Sequence, residues 1–370
     1  MERNNFSSEE TYRKELAEKI ISEPDLESRQ KVLARAQESR EYWKARLYQI
    51  SKRRRGRGLG TEGAISVFEM LKAYEQKERT KGKKIEFIHD TGKDVYNPTQ
   101  PVEIKGTRYI AGRMEDRDDY ANSQIGFFVE DGERWRLDEN TPTLELEDPF
   151  FSFIHGEIVL GGVRAWRDES GELSWETVFF RGTDLSDLRE FTTSPVGMKD
   201  VRLVELENGK IGIFTRPQGS VAKKGKIGYT EIDDLDELSP ATMINAEMIP
   251  GIFLPEEKGG VNQVITLKNG QLGVIGHIYG KDEHGNKHYC AMSFVFDPTN
   301  SSVSPMQIIA TREDFSGGAI KVPNPDNPDE LADVLFPGGI TRNEDGTATL
   351  YCGLSDTEAG EITILDPFQE

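Results

Sequence analysis

The first residue with a clear chemical use is Asp148, in the segment 144–164. It follows Glu147 where an apolar strand begins, and Pro149 favours extended backbone at the residue before it. The chain then reverses over 154–157 and returns as a second strand. A carboxylate at the mouth of a hairpin suits a cavity better than a core, and neighbouring acids favour its protonated form. Asp148 is therefore our candidate general acid, with a structural turn carboxylate as the alternative.

A second set of side chains could bind an anion. Lys199, Arg216, His277 and Tyr289 supply positive charges and hydrogen-bond donors near the ends of predicted strands. Such groups suit the oxygens of phosphate. Taken singly, each is more often an ordinary strand-end residue, so the prediction rests on their recurrence at equivalent points.

Other catalytic templates are absent from the sequence. It contains no G-x-S-x-G nucleophile motif, no Walker loop and no H-E-x-x-H zinc motif. His284 and His288 are four residues apart, but Gly285 between them favours a turn over a metal site. We therefore predict neither a metal nor a cofactor.

The elements that must position these residues are short strands joined by glycine turns. Five hairpins share one plan, and most are followed by a third strand; their turn glycines are Gly106, Gly156, Gly209, Gly270 and Gly346. This recurrence over residues 63–370 predicts an all-β fold, a five-bladed β-propeller. A sandwich would leave the repeat unexplained.

In a propeller, equivalent strand ends converge on the axis. Polar residues at the entry and exit of each hairpin would then line one funnel. Besides the groups named above, these are Asn97, Arg113, Glu115, Arg164, Asp200, Asn262 and Asp356. We predict that they bind substrate.

Residues 1–62 differ in composition from the rest. They read as an α-helical extension ending in a basic hinge, Lys52–Gly60, and hold 15 Lys and Arg against 11 Asp and Glu. The hinge could be a nucleic-acid patch, but its glycines favour a solvated linker. We expect the helices to pack on the propeller or to form a homo-oligomer.

Net charge limits the partners. The chain of 370 residues carries −19, and with the extension at +4 the remainder carries −23. So acidic a body is a poor binder of nucleic acid or anionic membrane. Mean hydropathy is −0.59, and no apolar run is long enough for a transmembrane helix or a secretory signal. Cys290 and Cys352 form no C-x-x-C motif, which fits a cytoplasmic protein.

These residues resemble a known group of enzymes. The motifs, in chain order, are Asn97-Pro98, Arg113-Met-Glu115, Glu147-Asp148-Pro149, Lys199-Asp200 with Arg216-Pro217, Gly276-His277, Phe336-Pro-Gly-Gly339 and Tyr351–Asp356. Over residues 64–370 the sequence resembles the inverting β-mannoside phosphorylases of glycoside hydrolase family 130. It is more similar still to the β-1,2-mannosyltransferase/phosphorylases of glycosyltransferase family 108, formerly a domain of unknown function.

The resemblance implies roles for individual residues. Asp148 falls on the single catalytic acid, which protonates the glycosidic oxygen through a sugar hydroxyl while phosphate attacks the anomeric carbon. Arg216, His277 and Tyr289 fall on phosphate-binding positions and Lys199 beside them; Asn97, Arg113, Glu115 and Asp356 would contact sugar. The sequence departs from the pattern at Phe150, where the phosphorylases have arginine, and at Lys258, where a tryptophan is expected.

The resulting prediction is a β-mannoside phosphorylase acting on β-1,2-mannosides. It would use inorganic phosphate to release α-mannose 1-phosphate, or run the reverse synthesis. The alternatives are a β-mannosyltransferase or a glycoside hydrolase on the same propeller, and a non-catalytic sugar-binding propeller. A hydrolase needs a second carboxylate to activate water, whereas phosphate is already a nucleophile.

Overall fold

The computed structural model describes residues 63–117, 122–167, 173–217, 225–281, 286–323 and 326–369. The predicted extension and hinge at 1–62 lie outside these residues, as does His284, so those predictions stay predictions. Within the described residues no helix is long and apolar enough to cross a membrane.

The described chain is mostly β. Two α-helices are present, α1 (Val67–Glu75) and α2 (Pro240–Ile244), with 3-10 turns at Leu235–Glu237 and Arg312–Asp314. The strands are β1 (Lys83–Lys84), β2 (Phe87–Ile88), β3 (Asp94–Tyr96), β4 (Val102–Ile104), β5 (Thr107–Glu115), β6 (Gln124–Asp131), β7 (Arg134–Leu137), β8 (Glu147–Ile154), β9 (Glu157–Arg167), β10 (Leu173–Gly182), β11 (Arg189–Thr193), β12 (Arg202–Glu205), β13 (Ile211–Thr215), β14 (Gly228–Ile232), β15 (Glu247–Met248), β16 (Lys258–Thr266), β17 (Leu272–Lys281), β18 (Lys287–Asp297), β19 (Ser302–Val303), β20 (Gln307–Ala310), β21 (Asp333–Arg342), β22 (Thr347–Leu354) and β23 (Glu358–Leu365).

The five predicted hairpins are all present, as the pairs β4–β5, β8–β9, β12–β13, β16–β17 and β21–β22. Each of the five predicted turn glycines has a positive φ, between 78° and 81°. A side chain at φ of this sign is disfavoured, so glycine fixes where each strand reverses. The predicted third strands are confirmed as β6, β10, β14, β18 and β23.

The strands form four hydrogen-bonded sheets in chain order. Strands β2 to β7 form the first, β8 to β11 the second and β12 to β15 the third. The fourth combines β16 to β20 with β21 to β23 and β1, two antiparallel groups joined by a short parallel pairing of β18 with β21. Because β1 pairs with β23, the start of the described chain completes the last group. Completion of the last group of strands by a strand from the start of the chain is typical of a β-propeller.

Apolar side chains fill the spaces between successive sheets. One cluster joins Phe150 and Phe179 of the second sheet to Ile213 of the third, and the clusters continue around the fold. Helix α1 packs Val67, Met70 and Tyr74 into one of them, and Glu257 accepts the amide hydrogen of Val67 at 2.7 Å. With both faces of the sheets occupied, the polar strand ends are held in fixed positions.

Candidate active site

Three polar residues at strand entries have a left-handed backbone: Asn97 (φ 47°), Asp148 (φ 50°) and Asp200 (φ 58°). The extended conformation predicted for Asp148 is therefore wrong. Strand β8 has a bulge at this point, because Glu147 pairs with Val163 and the next pair is Phe150 with Gly161. A bulge redirects a side chain, and Asp tolerates positive φ better than most residues.

Asp148 is buried, with a relative exposure of 6%. Its Oδ1 accepts hydrogen bonds from Asn97 Nδ2 at 2.8 Å and from Arg113 at 3.3 Å. Gly353 makes room for the first donor, because a methyl group there would lie 1.8 Å from Asn97 Oδ1. With Oδ1 taken by two donors, a proton for transfer would lie on Oδ2.

Arg113 joins the carboxylates of this region. Its guanidinium lies 2.7 Å from Glu115 and 3.3 Å from each of Glu147 and Asp148, and it stacks over Tyr96 at 5.1 Å from the ring centroid. Burial lowers the pKa of Arg113, but the surrounding anionic groups outweigh burial and raise it. This arginine is a permanent cation.

Glu115 is fully buried beneath Arg113. Besides Arg113, its oxygens accept hydrogen bonds from Tyr96 at 2.5 Å, from Ser123 and from Lys321. Burial raises the pKa of Glu115, but these donors outweigh burial and lower it to about 2. Glu115 is thus a fixed anion that orients Arg113; in this structure it is not open to a ligand.

Two more carboxylates face Arg113. Burial raises the pKa of Glu147 and of Asp356, with Asp148 adding to the rise in both. Asp356 has a left-handed backbone in the turn between β22 and β23 and is partly exposed. We call Asn97, Arg113, Glu115, Glu147, Asp148, Lys321 and Asp356 the acidic half of the site, which holds four carboxylates and two cations.

The second half is built around Asp200, which is 2% exposed. Its Oδ2 accepts a hydrogen bond from Arg216 and lies 3.7 Å from His277 Nε2. Burial raises the pKa of Asp200, but Arg216, followed by His277 and Lys199, outweighs burial and lowers it. Gly260 permits this packing, because a methyl group there would lie 2.8 Å from Asp200 Oδ2.

His277 is held from behind by Asn262, whose Oδ1 lies 2.8 Å from Nδ1 of the ring. Both residues are buried. Burial lowers the pKa of His277 to about 3, and Asp200 only partly opposes this. The ring is therefore neutral. Its faces pack near Phe336 and Tyr289, with centroids 5.0 and 5.8 Å away.

Lysine side chains extend this half outward. Lys258 Nζ lies over the Tyr279 ring at 4.3 Å, and Tyr279 packs 4.7 Å from Tyr289. Burial, followed by repulsion from Arg216 and Lys199, lowers the pKa of Lys258 to about 8. No described residue forms a hydrogen bond or ion pair with the ammonium of Lys199 or Lys258.

Arg202 lies where the two halves meet. It stacks on Phe150 at 4.0 Å and donates to the carbonyls of Asn262 and Val201 at 2.8 and 3.0 Å. Burial lowers its pKa to about 10, with Asp200 and Asp148 opposing. Lys199, Asp200, Arg202, Arg216, Lys258, Asn262, His277 and Tyr289 form the basic half, with four cations and one carboxylate.

Eleven of the twelve predicted site residues thus lie in these two halves. Arg164 does not. It pairs with Glu176 at 3.0 Å and Glu190 at 2.7 Å, within the second sheet. Burial raises the pKa of Glu176 to about 7, although Arg164 opposes this. Arg164 sits at an equivalent strand end, but these carboxylates already occupy its guanidinium.

The sequence analysis missed two buried cations, Arg202 and Lys321. Arg202 follows the Lys199-Asp200 motif by two residues, and that spacing was an available signal. Lys321 lies in an irregular segment between β20 and β21, 206 residues from Glu115, and carries no local signal. In the described part of the chain no cluster of His, Cys, Asp and Glu could hold a metal ion.

A family model described as "Protein of unknown function (DUF1861)" matches residues 72–370. The chain belongs to this family. No curated protein matches the sequence.

Solved structures are more informative. One is MPT-4, a mannose phosphorylase from Leishmania mexicana in complex with phosphate ion; it is 33% identical, with a TM-score of 0.74, covering 81% of this chain and 93% of that chain. Another is MPT-1, a GDP-Man-dependent mannosyltransferase from the same organism, also 33% identical with a TM-score of 0.74, covering 82% and 95%. The prediction of an enzyme of the phosphorylase and glycosyltransferase type is confirmed.

A more distant structure comes from the GH130 family of mannoside phosphorylases, which contains glycoside hydrolases that target β-1,2-mannosidic linkages in Candida mannan. It is 14% identical with a TM-score of 0.52, covering 79% of this chain and 95% of that chain. At this identity the likeness shows the fold alone. It supports the propeller-type architecture of this member of the DUF1861 family.

Proposed function

We propose that this chain is an inverting β-mannoside phosphorylase, with β-1,2-mannosides as substrates and Asp148 as general acid. The observation that carries the proposal is the division of the site. One buried aspartate lies among donors that orient it, and the basic half, with the buried Arg202 and Arg216 and the half-buried Lys199 and Lys258, adjoins it at Arg202. A sugar held between them would meet an acid on one face and an anion on the other.

The reaction then needs few groups. Asp148 gives its proton to the glycosidic oxygen, directly or through a sugar hydroxyl, as the bond from that oxygen to the anomeric carbon breaks. Phosphate held by Arg216, Lys199 and Tyr289 forms the new bond from the opposite face, which inverts the configuration to α-mannose 1-phosphate. In the reverse direction, ionised Asp148 takes the proton back from the acceptor hydroxyl.

Phosphate suits this arrangement better than water. An inverting hydrolase requires a carboxylate base roughly 6.5–9.5 Å from the acid. The carboxylate of the basic half, Asp200, is bound to Arg216, and Glu147 lies 3.3 Å from Arg113, so cations already engage both carboxylates.

The strand groups fit five blades. If the fourth sheet is divided at the two-residue parallel pairing of β18 with β21, five groups of strands result. They are antiparallel apart from the two-residue parallel pairing of β2 with β7, and each contains a polar entry residue. We propose that these five groups surround one axis. A crystal structure with another number of blades would contradict this.

A specific observation favours a second function, transfer of mannose from a nucleotide sugar. The GDP-Man-dependent neighbour is as similar as the phosphorylase, and Lys199 and Lys258 add positive charge beyond what Arg216 supplies. On this alternative the basic half would bind the diphosphate of the donor.

Donor tests separate the functions. The chain is incubated with mannose and short β-1,2-mannosides plus either mannose 1-phosphate or GDP-mannose, and phosphate or GDP release is measured. We expect phosphate release from mannose 1-phosphate, and degradation of β-1,2-mannosides only when phosphate is present. Activity with GDP-mannose alone would favour the transferase, and free mannose in phosphate-free buffer would favour a hydrolase.

A further inference from the structure

The protonation state of His277 determines which anions the basic half can hold. The Asn262 atom 2.8 Å from Nδ1 is the amide oxygen, which only accepts hydrogen bonds, so Nδ1 carries the ring proton. Burial together with the nearby cations Arg216, Lys199 and Arg202 disfavours a further positive charge on His277, and a neutral imidazole has a single N–H. Nε2 of His277 is therefore an acceptor.

The unprotonated Nε2 of His277 faces a second hydrogen-bond acceptor, the carboxylate of Asp200. Nε2 lies 3.7 Å from Asp200 Oδ2, both side chains are at least 98% buried, and Arg216 already donates to that oxygen. Two buried lone pairs directed at each other are unfavourable unless a donor reaches them. The charged and titratable groups around His277 are Asp200 and Lys199 before β12, Arg202 on β12, Arg216 after β13, Lys258 on β16 and Tyr289 on β18.

We infer that the anion site selects an anion that carries its own hydroxyl, and that this hydroxyl donates to His277 Nε2 and Asp200. The inference rests on the proposed phosphate-dependent function. Arg216, Lys199 and the Tyr289 hydroxyl bind the charged oxygens, while the two acceptors bind the proton. Hydrogen phosphate and the monoanion of a sugar 1-phosphate meet this requirement.

Sulfate and phosphodiesters have no such hydroxyl at neutral pH. The phosphates of a nucleoside diphosphate sugar are diester-like and would place only negative oxygens against Nε2 and Asp200. The site therefore favours free phosphate and sugar monophosphates over nucleotide sugars, by a difference in hydrogen bonding rather than in total charge.

The two expected substrates should respond differently to pH. A phosphate monoester has a second pKa near 6, so its monoanion falls about tenfold per pH unit above that value, and KM for mannose 1-phosphate should rise accordingly. Inorganic phosphate keeps a hydroxyl across this range, so its KM should stay nearly constant from pH 5 to 7. His277 stays neutral in this window, since its pKa is about 3, and Lys258, with a pKa of about 8, stays charged.

Calorimetric titration of the full chain tests anion selection without requiring turnover. The probes are phosphate, arsenate, sulfate and monofluorophosphate, which resembles hydrogen phosphate in charge and size but lacks the hydroxyl. We expect arsenate to bind as phosphate does, and sulfate and monofluorophosphate about 10- to 100-fold more weakly, the effect of leaving a buried acceptor unpaired. Equal binding of phosphate and monofluorophosphate would overturn the inference.

Replacing Asn262 tests the role of His277 directly. In Asn262→Asp a carboxylate would hold Nδ1–H and favour the imidazolium, so Nε2 would become a donor. The preference for phosphate over monofluorophosphate should then fall below about threefold. An unchanged preference, or equal weakening of every anion as expected from mere structural damage, would contradict the inference.

Two further variants complete the test. His277→Gln offers either a donor or an acceptor and should also lose the preference, which covers the case that Asn262→Asp does not fold. His89→Gln is the control, because His89 bonds Thr91 at 2.8 Å away from the site and its loss should leave the preference intact. If the wild type preferred phosphate over monofluorophosphate but showed no phosphorolysis, only the proposed phosphorylase function would be refuted. If it showed phosphorolysis without that preference, only this inference would be refuted.

Discussion

The acidic and basic halves of the site solve opposite electrostatic problems. In the acidic half three of the four carboxylates have partners: Glu115 accepts from Arg113, Lys321, Tyr96 and Ser123, Asp148 accepts from Asn97, and Glu147 lies 3.3 Å from Arg113. In the basic half four cations share one carboxylate, Asp200. The first half has an excess of negative charge on carboxylates that are mostly held by fixed donors, whereas the second half has an excess of positive charge.

This difference indicates a division of labour. A general acid must be held in one orientation before substrate arrives, and fixed donors around Asp148 do that. An anion site gains affinity by leaving positive charge uncompensated until the anion binds. Both conditions hold within a chain of net charge −19, so the attraction for phosphate is local and opposes the overall field.

The largest expected effect is on the acidic half. Asp148→Asn keeps the hydrogen-bonding shape but removes the transferable proton, and kcat for phosphorolysis should fall about 10²- to 10⁴-fold. Steady-state phosphorolysis measures this, with thermal unfolding to verify the fold. Glu147→Gln is the matched control and should cost less than about tenfold; a fully active Asp148→Asn would refute the acid assignment.

The next effect sharpens the contrast in the basic half. Arg216→Gln leaves Asp200 buried with its hydrogen-bonded ion-pair partner removed, and should destabilise the fold by about 3–5 kcal/mol. It should also weaken phosphate binding. Urea unfolding and calorimetry measure the two effects. The double variant with Arg216→Gln and Asp200→Asn should recover part of the lost free energy of unfolding but not the phosphate affinity. If no stability were recovered, the two residues would not be coupled as their geometry indicates.

The smallest effect concerns Lys258. Its pKa is lowered to about 8, first by burial and then by Arg216 and Lys199, so it is mainly charged at pH 7 and loses its charge as pH rises towards 9. Wild-type phosphate affinity should therefore weaken over that range. Lys258→Met should bind phosphate roughly threefold more weakly at pH 7 and lack this pH step. If the wild type and Lys258→Met showed identical pH profiles of phosphate affinity, Lys258 would not interact with the bound anion.

Much of the site was predictable because its residues follow local signals. The hairpin glycines mark the reversals, and each polar residue sits at a fixed point relative to a reversal. Asn97 and Asp200 precede the first strand of a hairpin, Asp148 lies at the start of one, and His277 lies in the second strand of another. Repetition of that plan was enough to place residues more than a hundred positions apart in one region.

The positions of Arg164 and Lys321 differ from the sequence pattern for a common reason. Arg164 occupies an equivalent point, but Glu176 and Glu190 on neighbouring strands bind it instead. Lys321 reaches Glu115 from an irregular segment with no periodicity. Side-chain pairing between strands depends on register and on bulges such as that at Asp148, which sequence spacing does not specify.

The sequence by itself determined where the chain turns, which segments form strands, and which chemical groups stand at the strand ends. It could do so because the conformational freedom of glycine and the periodicity of strands are local properties. Only the tertiary structure decided that Glu115 is a buried, fully bonded anion, that His277 is neutral with Nε2 facing Asp200, and that cations gather on one side. Burial and the distances between charges set those states, and both arise only when separate sheets pack together.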